Sequence, residues 1–577
     1  MEKWVVAAKR ADFAEISRKF GIDQVTARLI RNRDVEGEEA IQEYLYGGLS
    51  SLHDPHLLKG CKEAVSILQK KIAEGKTIRI IGDYDIDGVN ATYILYKGLK
   101  RCGAAVDYEI PDRMKDGYGI NEHLIRLAFE EGIDTILTCD NGIAAVDQIA
   151  CAKELGMTVV VTDHHEVQDR IPAADAIVNP KQEGCPYPFK SLCGAAVAFK
   201  LIQCLYEAYG IPAEEAEDFL EEAAIATVGD VMDLTGENRI LVKEGLRRLN
   251  ETKNPGLRAL IQANGLDHAK LTSYHIGFVL GPCINASGRL DTAKRALSLL
   301  LEEDPNRAAV LAGELKSLND ERKDMTAKGV EEAVRLIEDG PLKEDRVLVV
   351  YLPKCHESLA GIIAGRIRER YYRPTIVITD SADGIKGSGR SIEAYNMFAE
   401  LMQCKELFTK FGGHPMAAGL SMEKGMAPVL RKRLNEQATL TAEDLMQKIL
   451  IDVPMPIDYI TEKLIGELSV LEPFGKGNTK PVFAEKDLRL LNAKILGQNQ
   501  NVLKMQVMNA SGMVRDALYF GDIAGFRSYV AEKFGPSEAE KLFQGRENAV
   551  TLSMTYYPSV NEFRDRRTIQ IVVQNYR

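Results

Sequence analysis

Short runs of aliphatic and β-branched residues alternate with amphipathic stretches from about residue 62 onward. Four of these runs lie at Ile78–Ile81, Ala105–Ile110, Thr135–Thr138 and Thr158–Thr162, and a plausible helix separates each from the next. Short apolar strands separated by helices are typical of a parallel sheet in an α/β domain. The pattern therefore predicts a parallel-sheet domain in the first half of the chain.

The flanking segments are mainly helical in pattern. Residues 1–60 end in the helix-stopping turn Leu52-His53-Asp54-Pro55, and residues 195–330 are nearly all helical in pattern. Asp304-Pro305 is a helix start and Gly340-Pro341 a helix stop, so the stretch between them predicts one connecting helix about 50 Å long. Two shorter helices with a turn near residues 323–328 remain the alternative.

A second, smaller α/β unit follows the connecting helix. Its predicted strands are Val347–Tyr351 and Thr375–Ile378, with a helix from about 358 to 371 between them. Two Gly-rich segments, 386–390 and 411–415, are interpreted as loops. After about residue 450, short strands such as Val502–Val507 predict a small β-barrel.

The fold class is thus α/β and multidomain, with a C-terminal β-barrel. The predicted boundaries are an N-terminal helical segment over 1–60, a parallel-sheet domain with a helical extension over 61–302, a connecting helix over 303–340, a smaller α/β domain over 341–440, and a barrel over 441–577.

Composition narrows the class of protein without revealing its activity. The 577 residues are 45% hydrophobic and 27% charged, which is ordinary globular composition. No apolar run approaches the roughly 18 residues of a membrane span, and the N-terminal apolar run is too short for a secretory signal. Ten cysteines without a C-x-x-C pair indicate a reducing compartment, so we expect a cytoplasmic protein.

The chain carries 73 basic and 84 acidic residues, a net charge of −11. Global acidity does not exclude a nucleic-acid partner, because binding depends on local basic patches and on metal ions.

The most informative segment is the loop Gly82-Asp83-Tyr84-Asp85-Ile86-Asp87-Gly88, which directly follows a predicted strand. Two like charges about 4 Å apart repel by roughly 1 kcal/mol in water and roughly 4 kcal/mol at an effective dielectric constant of 20. A folded protein keeps three such carboxylates in one loop only where solvent or cations neutralise them.

Similar polar residues end the neighbouring strands. Asp140 lies in Cys139-Asp140-Asn141-Gly142, Asp163-His164-His165-Glu166 follows Thr162, and Asp230 follows an apolar helical run. Ligands of parallel α/β sheets bind at the carboxyl ends of the strands, so we expect these groups to converge. Carboxylates with one or two imidazoles suit Mg²⁺ or Mn²⁺, and shared carboxylates suit two ions that together hydrolyse phosphate esters.

Other motifs are weaker or absent. An EF-hand needs Glu at the twelfth position from Asp83, where this chain has Ile94. The segment Gly475–Lys480 lacks the Walker A spacing, and no Gly-x-Ser-x-Gly motif is present. The sequence thus argues against ATP-driven and serine-hydrolase chemistry.

In this order the motifs resemble the DHH phosphoesterase superfamily and, within it, the RecJ family of bacterial single-strand-specific DNA exonucleases. The resemblance also includes residues 226–234, 281–290, 412–419 and 471–478, and it spans nearly the whole chain. It implies a DHH domain, a connecting helix, a DHHA1 domain and an OB-fold. It further implies 5′→3′ hydrolysis of single-stranded DNA to mononucleotides with Mn²⁺ or Mg²⁺, and a role in DNA repair and recombination.

The resemblance also implies residue roles. The implied metal ligands are Asp83, Asp85, Asp87, Asp140, His164 and Asp230. His165 is expected beside these ligands or on a phosphate. The residues expected to bind the substrate are Arg113, Tyr118, Asn285, Arg289, His356, Ser388, Arg390 and His414.

The expected partners are single-stranded DNA and, by family resemblance, single-strand-binding protein and a helicase, with no membrane and a monomeric chain. Basic residues of the barrel, Lys494, Lys504, Arg515, Arg564, Arg566 and Arg567, are expected to add affinity for the strand. Two alternative functions stay open. One is a DHH hydrolase of short oligonucleotides or cyclic dinucleotides, and the other is a relative that binds single strands without cutting them.

Overall fold

The computed structural model describes residues 2–113, 115–117, 119–497, 499–563 and 566–577. These residues form two compact units. One unit is Leu52–Gln447, and the other combines Glu2–Ser51 with Lys448–Arg577.

The strands are numbered in chain order. They are β1 Glu2–Val6, β2 Thr77–Ile81, β3 Ala105–Glu109, β4 Thr135–Cys139, β5 Thr158–Thr162, β6 Ala176–Val178, β7 Leu348–Tyr351, β8 Thr375–Ser381, β9 Gly384–Arg390, β10 Lys410–His414, β11 Ala417–Met422, β12 Gln447–Ile451, β13 Val453–Pro454, β14 Phe483–Leu496, β15 Val502–Met508, β16 Val514–Tyr519, β17 Thr551–Phe563 and β18 Arg566–Tyr576.

The α-helices are numbered in the same way. They are α1 Phe13–Phe20, α2 Gln24–Asn32, α3 Glu38–Tyr46, α4 Cys61–Ala73, α5 Ile86–Arg101, α6 Glu122–Glu130, α7 Val146–Glu154, α8 Gly194–Ala208, α9 Ala213–Ala216, α10 Leu220–Gly229, α11 Gly236–Leu249, α12 Pro255–Ala263, α13 Ser273–His275, α14 Gly281–Leu290, α15 Lys294–Leu301, α16 Pro305–Glu338, α17 Ala360–Tyr371, α18 Met397–Met402, α19 Ala427–Gln437, α20 Glu462–Val470, α21 Ile523–Phe534 and α22 Pro536–Phe543. No helix among the described residues has the length and apolar character that crossing a bilayer requires.

The first sheet of the larger unit is parallel and has the order β3-β2-β4-β5-β6. Strands β2 to β5 lie where the four apolar runs predict strands, so that prediction is confirmed. Strand β6, Ala-Ile-Val, has only three residues and was not predicted, because its apolar run is shorter than the roughly four to eight residues of a typical strand signal. The central strands are buried, with Ile78, Ile80 and Val160 fully inaccessible, because helices cover both faces of such a sheet.

The predicted connecting helix is a single helix, α16, of 34 residues rather than two shorter ones. Asp304 caps its start by accepting a hydrogen bond from the Asn306 N–H at 2.9 Å, and Pro305 occupies its first turn. At 1.5 Å per residue the helix is about 50 Å long.

The second sheet of this unit has the order β10-β11-β9-β8-β7, in which only β7 and β8 are parallel neighbours. The two segments interpreted as Gly-rich loops are strands β9 and β10, so that part of the prediction was wrong. Strand β9 lies between β11 and β8, where a Cβ on Gly387 would come 2.8 Å from Leu420. Its glycines therefore make room for apolar side chains.

The smaller unit contains a closed barrel. Its sheet has the order β13-β14-β15-β16-β18-β17, and β14 also pairs with β17. The predicted N-terminal helices α1 to α3 belong to this unit, where Leu29 and Leu45 share a hydrophobic core with Phe483 and Tyr556 of the barrel. The N-terminal strand β1 pairs with β12 in a separate two-stranded sheet. The pattern of hydrophobic positions does not predict either contact, since both join residues more than 400 positions apart.

Candidate metal centre and arginine cluster

The topology of the first sheet brings the predicted metal ligands together. Strands β2, β4 and β5 are neighbours and parallel, so the loops after them meet at one edge of the sheet. These loops carry Asp83 and Asp85, Asp140, and Asp163 to His165. Helix α10 ends beside them and contributes Asp230 as its C-cap residue.

Three groups of side chains have ligand atoms within 4.8 Å of one another. The groups are Asp83, Asp85 and Asp140; Asp87, His164 and Asp230; and Asp140, His164 and His165. The His164 Nε2 atom lies 3.0 Å from Asp140 Oδ1, 3.5 Å from Asp87 Oδ2 and 3.8 Å from Asp230 Oδ2. Asp140 and His164 each belong to two of the groups, so the three groups adjoin and share side chains. We call these seven residues the metal centre.

The acidic loop is held by hydrogen bonds that leave carboxylate oxygens for ions. Asp85 caps helix α5, and its Oδ1 accepts from the N–H groups of Asp87 at 2.9 Å and Gly88 at 3.1 Å. Asn285 Oδ1 accepts from the Ile86 N–H at 2.9 Å. The Asn285 side chain thus supports the loop, and its expected contact with the substrate stays a prediction.

Asp87 is fully buried against the first turn of helix α8. Its two carboxylate oxygens accept hydrogen bonds from the N–H groups of Gly194 at 2.6 Å and Ala195 at 2.7 Å. A helix N-terminus stabilises a negative charge, and glycine is needed because a Cβ on Gly194 would come 2.7 Å from the Asp140 Cβ. This support is not predictable from the spacing of the acidic residues, and its local signal is the run of small residues after Cys193.

Asp140 has an unusual backbone conformation, with φ at 59°. Non-glycine residues adopt this left-handed region infrequently, and Asp and Asn tolerate it best. The neighbouring Asn141 side chain braces the turn by donating to the carbonyls of Ile81 at 3.0 Å and Cys139 at 2.9 Å. The turn therefore aims the Asp140 carboxylate into the centre.

Asp163 acts as a support and was not among the predicted site residues. Its carboxylate accepts from the Ile143 N–H at 2.9 Å and the His164 N–H at 2.7 Å. It also bonds the His165 Nδ1 atom at 2.7 Å. Burial alone would lower the pKa of His165, but the bond to Asp163 and its charge raise that pKa to about 9.

Electrostatics in the metal centre favour cations. Burial raises the pKa of Asp140 well above its usual value, and the charges of Asp87, Asp85 and Asp83 raise it further. Burial and then the charge of Asp85 likewise raise the pKa of Asp83. Within the described part of the chain, Asp83 Oδ1 is buried without a hydrogen-bond partner. Buried carboxylates with an imidazole and an unused oxygen fit divalent ions of the Mn²⁺ and Mg²⁺ type.

The bulky Ile86 in the acidic loop has space made for it by two glycines. The Ile86 side chain is buried. A Cβ added to Gly229 would come 2.6 Å from this side chain, and a Cβ added to Gly281 would come 3.0 Å from it. Gly229 directly precedes Asp230, so this packing also sets where helix α10 ends relative to the loop.

Four arginines gather beside the metal centre, and we call them the arginine cluster: Arg113, Arg289, Arg322 and Arg390. Burial lowers the pKa of Arg289 to about 10, with further lowering by the charges of the other three, while Asp85 opposes the shift. Buried positive charges that repel one another are stabilised by an anion, and arginine is the side chain best shaped for phosphate oxygens.

Each arginine is oriented by a specific contact. Arg113 lies over the Tyr84 ring at 4.2 Å, and Arg390 donates to Ser388 Oγ at 3.1 Å and the Gly389 carbonyl at 2.7 Å. Arg289 donates to the Ser358 carbonyl at 2.9 Å.

His356 and the fourth arginine, Arg322, complete this arrangement. His356 bonds the Ser358 hydroxyl at 2.7 Å, so it supports the turn that holds Arg289. Arg322 of α16 donates to Asn319 Oδ1 at 3.0 Å. Arg322 was not among the predicted site residues, because the pattern of α16 predicts only a connecting helix.

The second sheet contributes His414, the exposed last residue of β10. The pKa of Glu166 is lowered first by its ion pair with Lys181 and also by the charge of His414, so His414 lies near the loop after β5. Tyr118, another predicted contact, lies outside the described residues.

Comparison with known proteins identifies the family. Family models match residues 77–228 as the N-terminal domain of the DHH family, 344–440 as a DHHA1 domain and 451–575 as a RecJ OB domain. The single-stranded-DNA-specific exonuclease RecJ of Bacillus subtilis strain 168 is 37% identical over 564 residues, which are 97% of this chain and 69% of that protein. The Escherichia coli K12 protein of the same name is 33% identical over 95% of both chains.

The chain belongs to the RecJ family. A solved structure of RecJ from Thermus thermophilus in complex with Mn²⁺ matches 100% of this chain and 79% of that one, with 28% identity and a TM-score of 0.83. The structure of that RecJ with Mg²⁺ matches 100% and 78%, with 27% identity and a TM-score of 0.77. The resemblance inferred from the motifs and the predicted multidomain fold are both confirmed.

Proposed function

We propose that this chain is an exonuclease that hydrolyses single-stranded DNA in the 5′→3′ direction to mononucleotides and depends on Mn²⁺ or Mg²⁺. The observation that carries the proposal is that two sites of opposite charge adjoin. Arg113 of the arginine cluster lies 4.2 Å from the ring centroid of Tyr84, which stands between Asp83 and Asp85 of the acidic loop. A centre for divalent ions thus adjoins a binding site for a phosphate group. The relatives named above are single-stranded-DNA-specific exonucleases, which supports the substrate.

The residues of the metal centre hold the ions in the proposed reaction. Asp83, Asp85, Asp87, Asp140, His164 and Asp230 are the proposed ligands, and the groupings within 4.8 Å support two adjoining positions. When bound, the ions polarise the scissile phosphate and lower the pKa of water. The N–H groups of Gly194 and Ala195 hold Asp87 in place and oppose the rise in its pKa that burial causes.

His165 is proposed to contact the phosphate. The Asp163 carboxylate holds its ring, and its raised pKa of about 9 keeps it protonated at neutral pH. A cation at the edge of the centre stabilises the negative charge that develops on phosphate oxygens. His414 is proposed to act on the same group from the second sheet.

The arginine cluster is proposed to bind the 5′-terminal phosphate, together with Ser388. Rigid guanidinium groups pair with phosphate oxygens through two parallel hydrogen bonds. A terminal phosphate held there places the next phosphodiester bond toward the metal centre. Hydrolysis would then proceed in the 5′→3′ direction, and each cleavage would release one nucleotide.

The barrel is proposed to add affinity that does not depend on base sequence. It has the closed strand order of a single-strand-binding OB-fold, and Arg566 and Arg567 are exposed on β18. Lys504 already pairs with Asp516 at 2.8 Å, which reduces its contribution, and Arg564 lies outside the described residues. The proposed reaction serves DNA repair and recombination, with single-strand-binding protein and a helicase as proposed partners.

The test uses one single-stranded oligonucleotide labelled at the 5′ or the 3′ end, with Mn²⁺ or with EDTA. We expect the 5′ label to leave as a mononucleotide from the start, while the 3′-labelled strand shortens step by step. EDTA and the Asp230→Ala substitution should each abolish the release of the 5′ label and the shortening of the 3′-labelled strand. Asp147→Asn is the matched control, because Asp147 is exposed and pairs with Arg170.

Three results would contradict the proposal: cleavage in EDTA, release of the 3′ nucleotide first, or equal rates on a dinucleotide and a long strand. The last result would favour a hydrolase of short oligonucleotides.

A further inference from the structure

Two large aromatic side chains of the first unit are exposed side by side. Tyr274 is 62% exposed and Phe278 is 68% exposed. Their ring centroids are 5.0 Å apart and the planes are inclined by 27°, so the rings are stacked. We call them the aromatic pair. Aromatic side chains of this size are usually largely buried, because each can remove about 150–250 Å² of surface from water.

The backbone holds the aromatic pair in place. Helix α13 continues through a π-helical turn, Ile276–Leu280, directly into α14. The start of this segment is fixed by His275, whose Nδ1 lies 3.0 Å from the Thr272 N–H and 3.1 Å from its hydroxyl. Turns of π-helix cost stability and are found frequently at functional sites.

The same helical segment runs from the aromatic pair to the metal centre. A Cβ on Gly277, between the two rings in sequence, would lie 3.6 Å from Val228, two residues before Asp230. Gly281, three residues beyond Phe278, is the residue whose Cβ would come 3.0 Å from Ile86 of the acidic loop. Phe278 and Gly281 are three residues apart in one continuous helical segment, so Phe278 lies within about one helical turn of that contact.

Further along, Asn285 bonds the acidic loop, and Arg289 belongs to the arginine cluster. One continuous segment thus carries a loop support, a phosphate-binding group and, at its other end, two exposed rings.

We propose that Tyr274 and Phe278 form a platform on which a base of the single strand stacks beside the metal centre. This inference rests on the proposed function and names a further substrate-binding site for it. Every nucleobase offers a flat face, so stacking adds affinity without base preference. The two rings together are far smaller than the roughly 800 Å² per partner of a stable protein interface, which favours a base as the occupant.

The test is a double-mutant cycle between the protein and the strand. A set of 5′-phosphorylated oligonucleotides carries one abasic site at each successive position, and their affinities are measured in EDTA by fluorescence anisotropy. For the unmodified chain we expect a loss of about 5- to 100-fold at one or two adjacent positions. The double variant Tyr274→Ala/Phe278→Ala should bind the intact strand correspondingly more weakly and show no additional loss at those positions.

Three further variants separate stacking from other effects. Tyr274→Trp/Phe278→Trp should retain the positional profile, whereas Tyr274→Leu/Phe278→Leu, which keeps apolar side chains without flat rings, should lose it. Phe129→Ala is the matched control, because Phe129 is 48% exposed on α6. The platform is overturned if the alanine or leucine variants keep the profile of the unmodified chain, or if the control loses it.

Release of labelled mononucleotides with Mn²⁺ is measured in parallel. A chain that shows the positional profile but no hydrolysis would contradict the proposed function and leave the platform standing. Normal hydrolysis together with identical positional profiles in all variants would contradict the platform and leave the proposed function standing.

Discussion

The metal centre and the arginine cluster are two concentrations of like charge that lie side by side. In the metal centre, burial and mutual repulsion raise the pKa of Asp83 and Asp140. In the arginine cluster, burial and repulsion lower the pKa of Arg289. Each set of like charges therefore lowers the stability of the fold by itself, and a ligand of the opposite charge offsets this cost.

The two sites differ in how the chain builds them. The carboxylates are short side chains in loops after strands or at the adjoining ends of helices, and the Gly194 N–H, for example, holds Asp87. The arginines come from a loop, two helices and a strand, and their long side chains are oriented through contacts with Tyr84, Ser358 and Ser388. A rigid backbone-supported site suits ions with strict coordination geometry, whereas longer side chains can follow a mobile phosphate.

Asp140→Asn should have the largest effect, because Asp140 belongs to two of the three ligand groups. We expect hydrolysis with Mn²⁺ to fall by roughly 10²- to 10³-fold or more. Asparagine tolerates the left-handed backbone at this position, so the fold should be retained. Rates on labelled single strands and titration with Mn²⁺ measure the effect, with Asp147→Asn as the control.

Asp140→Asn also tests how the Asp140 charge affects the stability of the fold in the absence of metal. The pKa of Asp140 is raised in the folded chain, so its ionised form lowers stability at pH values above its ordinary pKa. Removing that charge should leave the thermal midpoint in EDTA unchanged or higher. A clear fall in the midpoint would show that the carboxylate has a structural role instead.

Arg289→Gln tests the other site and should have the next largest effect. A hydrogen bond to a charged group contributes about 1.5–3 kcal/mol, so kcat/KM on 5′-phosphorylated strands should fall by about 10- to 100-fold. Strands with a 5′-hydroxyl should be affected much less. Arg295→Gln is the control, because Arg295 pairs with Asp291 and Glu314. Equal losses on both strands would mean that Arg289 does not bind the terminal phosphate.

Gly229→Ala tests the packing that joins the acidic loop to helix α10. The new methyl group would come 2.6 Å from Ile86, and overpacking of this kind costs about 1–3 kcal/mol of unfolding free energy. Ile86→Ala in the same chain should restore part of the loss, as denaturant unfolding can measure. Gly313→Ala is the control, because nothing lies within 4 Å of its added Cβ. Additive effects of the two substitutions would contradict the contact.

An exposed pair of opposite charge should give the smallest effect. The Nε2 atom of His56 lies 2.8 Å from Glu207 Oε2, and the hydrogen bond that the ring donates to this carboxylate raises the pKa of His56. A raised histidine pKa stabilises the fold below about pH 6.5, and this contribution disappears as the pH rises through the raised value. Glu207→Gln should therefore cost less than about 1 kcal/mol near pH 5.5 and nothing near pH 9. An equal cost at both pH values would contradict this account.

The two charged sites also differ in how far the sequence predicts them. The acidic loop and the residues after β4 and β5 stand at strand ends, and parallel strands force such loops to one edge. The sequence therefore predicts Asp83, Asp140 and His164 as one centre. Arg322 lies on a helix with many charged residues, and nothing local separates it from solvent-facing neighbours.

The second sheet also has a feature that the sequence does not predict. Gly387 and Gly389 indicate a loop by composition, yet they lie in β9 because neighbouring strands cover both edges of that strand. Strand pairing depends on partners distant in the chain, which local composition cannot reveal.

By itself, the amino-acid sequence determines the strand–helix alternation, the acidic loop and the kind of ion that its oxygens can hold, because these follow from residue type and short-range spacing. The tertiary structure decides that Gly194 supports Asp87, that Arg322 joins the arginine cluster and that Tyr274 and Phe278 remain exposed. Each of these depends on which surfaces of distant segments come into contact, and packing of the whole unit sets those contacts.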